Sequence, residues 1–217
     1  MVRDAAKYAV LALGLAFPLT ACEDVTGPGE GSLSVRMSRD DSGPAAALVA
    51  ADLVQASIGP VALDAVQSID VTISAIQVQP EGADEASGPW VTLDLTAPTS
   101  VNLLALPTEG GAGLLVATDE VEAGAYGHLR LLFDSATITF SQDVTLGATT
   151  YTAGTAYALT IPSGAQTGIK LELGGIEVPE GGAAEVELVF DATLSVGNVL
   201  ATGAGIQMTP VMHVASD

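Results

Sequence analysis

An all-β sandwich is the fold class that this sequence predicts, on three observations. Short runs in which apolar and polar residues alternate recur along the chain. Turn-forming residues are dense, with 24 glycines and 11 prolines among 217 residues. No long stretch carries the periodicity of a helix or a heptad. Hydrophobic residues make up 48% and aromatics only 4%, so the core has to be built from Val, Ile, Leu and Ala. The expectation is about ten short, mainly antiparallel strands, with at most one short helix in an insertion near 44–57. An up-and-down barrel is the alternative. The strands carry no aromatic girdle, which argues against an outer-membrane barrel.

The chain begins with Arg3 and Lys7, partly offset by Asp4, and continues into the uncharged apolar run 8–19. Leu19-Thr20-Ala21-Cys22 follows, and Cys22 is the sole cysteine. A positive start, a short apolar stretch and small residues before a cysteine predict a lipoprotein signal over 1–21, with Leu19, Thr20 and Ala21 read by the peptidase and Cys22 lipidated. The run is shorter than the roughly 20 apolar residues of a spanning helix, and Gly14 and Pro18 interrupt it. Residues 22–31 then form a lipidated cysteine and a flexible tether, and 32–217 form a single domain. The nine residues 23–31 would reach roughly 15–18 Å as a coil.

The formal net charge is −20, and removing a segment that carries +1 leaves −21. Such a chain is poorly suited to nucleic acid or an anionic membrane surface. With Cys22 acylated no disulfide is available, so packing alone must hold the domain.

Leu33, Val35 and Met37 alternate with Ser34, Arg36 and Ser38, which predicts the first strand. Pro44 opens the one expected helix, over 45–57, which Gly59-Pro60 ends. Ile69, Val71 and Ile73 alternate, and then the phase slips to Ile76 and Val78, the mark of a β-bulge near Ser74-Ala75. Trp90 stands at the mouth of a strand over 91–95, and 101–106 is apolar on both faces. A short strand over 114–117 leads through Ala123-Gly124 into 126–134, where Leu129, Leu131 and Phe133 face one way and Tyr126, His128, Arg130 and Leu132 the other. Shorter strands are expected over 136–140, 149–152 and 157–161. Ile169, Leu171 and Leu173 alternate with Lys170 and Glu172, and Val186, Leu188 and Phe190 with Glu185 and Glu187. The last strand is read over 206–214, with Pro210 marking an edge or a bulge.

Four stretches together resemble a known family: Ser68–Val78 (SIDVTISAIQV), Val121–Leu132 (VEAGAYGHLRLL), Leu188–Val196 (LVFDATLSV) and Met208–Val214 (MTPVMHV). Their order and spacing are similar to those of the bacterial and archaeal family called domain of unknown function 4382, from about Gly31 to Val214. The chain departs from it where an insertion up to about Leu63 follows Asp40, Asp41 and Pro44. The resemblance implies an immunoglobulin-like or prealbumin-like sandwich without assigned catalytic residues, often carried on a lipoprotein.

Candidate chemistry is sparse. His128, Asp134 and Ser135 could be imagined as a hydrolytic set, but neighbours in a strand point to opposite faces and no nucleophile elbow is present. Two histidines do not make a zinc site. Calcium is the only cofactor worth weighing, at Asp119, Glu120 and Glu122, with weaker groups at Asp40–Asp41 and Glu81–Asp84–Glu85; none has a calcium-loop spacing. Asp191 sits in a buried-looking strand and calls for a polar partner, with Arg130 or Lys170 in view. Trp90 and Tyr126 could stack on a ligand ring or plug the sandwich core. The expectation is a non-catalytic, lipid-anchored module of the cell envelope, attached to the membrane through Cys22 and binding a glycan or another envelope protein. A calcium-dependent binding module and an envelope enzyme with paired carboxylates are the alternatives.

Overall fold

A computed structural model describes residues 29–41, 61–84, 88–96, 100–162, 164 and 167–215. Leu19–Cys22 and the helix expected over 45–57 lie outside the described residues.

Alternation gives the first strand, β1 (Glu30–Asp40), and buries Leu33, Val35 and Met37 completely. It is followed by β2 (Val66–Pro80), β3 (Val91–Leu93), β4 (Ser100–Asn102), β5 (Leu114–Glu122) and β6 (Gly124–Phe140). The hairpin of β7 (Val144–Leu146) and β8 (Thr149–Tyr151) leads to β9 (Ala156–Thr160), β10 (Ile169–Val178) and β11 (Ala183–Asp191). Helix α1 (Ala192–Gly197), β12 (Leu200–Thr202), β13 (Gly205–Gln207) and β14 (Val211–Val214) complete the order.

Two mixed sheets face each other across one core. The smaller has the order β14-β11-β1-β5. In the larger, β2 and β6 pair along most of their length; β3 and β4 share the outer edge of β2, and β10 and β9 share that of β6. The fold is an all-β sandwich. Its pairs are antiparallel except β1 with β11 and β13 with β9.

The phase slip in β2 is a bulge: Ile73 pairs with Phe133 and Ala75 with Leu132, which leaves Ser74 unpaired. Ile69, Val71, Ile73, Ile76 and Val78 can therefore all face the core. The strands read over 126–134 and 136–140 are one continuous strand, β6, running alongside β2. The expected strand over 114–117 extends to Glu122.

Two segments stitch the sheets together. After β3 the chain crosses to the edge of the smaller sheet, where Leu95 bridges to Ala117 and Thr96 N–H donates to Val116 O at 2.9 Å. At the other end, the strand expected over 206–214 is two strands in different sheets, β13 and β14, with Pro210 between them. A residue that cannot donate to a ladder suits such a crossing.

The one α-helix among the described residues is α1, which stands where Leu188–Val196 reads as strand. Strand β11 ends at Asp191, whose Oδ1 accepts from Leu194 N–H at 2.7 Å. This N-cap satisfies a donor that the first turn leaves open and is worth about 1 kcal/mol. The fully buried Ser195 then ties α1 to the last strand, its Oγ accepting from Val211 N–H at 2.8 Å.

Candidate functional site

The outer face of the larger sheet carries the most organised polar cluster. Ile76 and Val78 on β2, and Leu129 and Leu131 on β6, are buried. Alternation therefore turns Gln77 and Arg130 outward. Strand register sets four side chains in one row across the sheet, Thr92–Gln77–Arg130–Lys170. Gln77 Nε2 donates to Thr92 Oγ1 at 2.7 Å, and Arg130 Nε donates to Gln77 Oε1 at 2.6 Å. Trp90, just before β3, lies beneath the Arg130 guanidinium, whose carbon is 4.1 Å from the ring centroid. A cation over an indole at this distance is attracted by the ring quadrupole, by about 0.5–1 kcal/mol at an exposed site. Among the described residues, the Arg130 terminal nitrogens have no hydrogen-bond partner.

The neighbouring row is Gln79–His128–Glu172. Gln79 is completely buried, because the loop after β2 folds back over it and its Nε2 donates to Asp84 O at 2.9 Å. Gly88 permits that cover: a Cβ there would stand 2.6 Å from both Asp84 O and Gln79 Nε2. Gln79 Oε1 and His128 Nδ1 have no partner among the described residues.

A family model described as a domain of unknown function (DUF4382) matches residues 46–210, most of the chain. The chain belongs to this family. No curated protein and no solved structure matches it. The DUF4382 match is shorter than the resemblance read from about Gly31 to Val214. It leaves out β1 and β14, although β1 is an inner strand of the smaller sheet.

The other residues singled out in this DUF4382 chain are scattered. Asp191 and Arg130 do not meet: Asp191 caps α1, and Arg130 bonds Gln77 and covers Trp90. The polar partner that Asp191 requires is a backbone N–H, not a cation. Asp119 accepts from Asp94 N–H at 3.2 Å and from Glu120 N–H at 2.8 Å, which fastens the segment crossing from β3. Glu120 and Glu122 lie exposed along β5. Among the described residues, no three His, Cys, Asp or Glu side chains are grouped to hold a metal ion. His128 is six residues before Asp134 on one extended strand, about 20 Å away at the rise of a strand, beyond any hydrogen bond. Ser135 Oγ instead donates to Thr72 Oγ1 at 3.1 Å.

Tyr126 does not share the outer face with His128 and Arg130. It is 2% exposed and its ring lies in the core. The register irregularity at Gln79/Pro80, opposite the 126–128 segment, breaks the alternation that would turn it outward. Its hydroxyl donates to Glu122 O at 2.9 Å, the reach of a tyrosine corner. Burial, and then the neighbouring Glu122, raise its pKa above the usual 10.0. The unfolded phenol ionises near pH 10 while the folded one stays neutral. The resulting stability is present below that pH and lost as pH rises through the folded value. We expect Tyr126→Phe to cost about 1 kcal/mol at pH 8 and to flatten the alkaline limb of stability. Urea unfolding at pH 8 and pH 10.5 checks this, and an equal drop in both proteins would contradict it.

Proposed function

We propose that this protein is a non-catalytic binding module of the cell envelope, held to a membrane by lipid on Cys22, which takes its ligand on the outer face of the larger sheet. The observation that carries the reading is the held guanidinium of Arg130. Gln77 fixes its Nε and Trp90 supports its plane, while its terminal nitrogens are left without a partner among the described residues. A flexible surface arginine gives up side-chain entropy when it binds; one already held gives up less. The leader pattern of Leu19–Cys22 supports display outside the cytoplasmic membrane.

A photoreactive residue placed at Glu172, exposed on the row beside Arg130, should capture an envelope component in intact cells. The same residue at exposed Glu109, in the turn before β5, should not. Equal capture from both positions, or none from position 172, contradicts the assignment of this face.

A further inference from the structure

We infer that the Arg130 row recognises a carboxylate borne on an otherwise uncharged sugar chain. This inference rests on the binding reading above and names the ligand class for the same face.

Chemistry narrows the ligand in three steps. Arg130 has spent its Nε on Gln77, so the edge formed by its two terminal nitrogens remains, and that planar fork matches the two oxygens of a carboxylate. Lys170 is the direct cross-strand neighbour of Arg130 and adds a second positive charge. These are two of the four cationic residues among those described, set side by side in a chain of net charge −20.

That same net charge disfavours a polyanion. Charges more than about 8 Å away are largely screened at physiological salt, and Glu172, two residues from Lys170 on the same face of β10, lies within that reach at about 7 Å. One carboxylate held between Arg130 and Lys170 is already close to Glu172, and a second one further along would face it directly on the neighbouring row. The remainder of the ligand should therefore be neutral.

A sugar chain suits the rest of the face. Beyond the bulge, the outward positions of β4, β2 and β6 line up as Ser100–Thr72–Ser135, with Asn102–Asp70–Thr137 beside them. Ser135 lies five positions along β6 from Arg130, about 17 Å at the rise of a strand. The hydroxyl, amide and carboxylate groups of these short side chains can donate to and accept from sugar hydroxyls, and the part of the Trp90 ring not covered by Arg130 adds apolar surface beside the row.

Trp90 is the only tryptophan, so its fluorescence reports directly on this row. Glucuronate, galacturonate and mannuronate would each be titrated against the parent neutral sugar, with affinities checked by calorimetry. We expect at least one uronate to bind tenfold or more tightly than its parent. The preference should fall below twofold in Arg130→Gln, with its far-UV circular dichroism unchanged, and return in part in Arg130→Lys. The inference is overturned if no uronate exceeds its parent by threefold, or if the preference survives in folded Arg130→Gln. No uronate preference in the unsubstituted protein, with capture from position 172 intact, refutes the ligand class alone. Absence of both refutes the binding face as well.

Discussion

A chain that starts at residue 42 is expected not to fold, whereas one that starts at Gly29 should unfold in a single cooperative transition. The truncated chain contains every residue of the DUF4382 match, 46–210, and lacks only β1 from the described fold. Yet β1 pairs on both sides, parallel to β11 over Ser32–Asp40 and antiparallel to β5 over Glu30–Met37. Its Leu33, Val35 and Met37 are completely buried. Full burial of such side chains is worth about 1.5–3 kcal/mol each, and their loss alone rivals a typical domain stability of about 5–15 kcal/mol. Removal also opens two strand edges inside the sheet. Circular dichroism and thermal melting of both chains check this; a cooperative melt of the 42–217 chain would show that β1 is an accessory strand.

Phe190→Ala should lower stability by about 3–5 kcal/mol, the usual range for emptying a buried phenylalanine site. Phe190 is completely buried near the end of β11, between Arg39 on β1 and Met212 on β14. The next residue, Asp191, caps α1, so the backbone here is held by strands on both sides and by the helix start. Such a site can relax little into the cavity, which argues for the upper part of the range. Urea denaturation measures the change, and a loss under about 1 kcal/mol would mean that the two sheets do not close over this position.

Much of the fold was legible in the sequence because burial imposes period-two alternation. The alternation of Leu33, Val35 and Met37 predicts β1, and the slip between Ile73 and Ile76 predicts the bulge that the strand register contains. What was missed depends on long-range pairing or on local capping. The parallel pairing of β1 with β11 joins residues about 150 positions apart and leaves no local trace. Helix α1 was hidden by the apolar run Leu188–Val196, although Asp191 as N-cap and Gly197-Asn198 at the other end were available signals. Pro210 reads as an interruption within one strand, but its place between two sheets depends on the partners of β13 and β14. Trp90 and Arg130 were each singled out, on separate grounds. Their meeting follows from the register that sets Gln77 opposite both Thr92 and Arg130.

Display outside the cytoplasmic membrane underlies the whole functional account. The most direct test is the intact mass of the protein extracted from the membrane fraction of its own cells. The account predicts a chain that begins at Cys22 and carries acyl groups on that residue. A chain that retains Met1, with an unmodified Cys22 and recovered from the soluble interior, would contradict it.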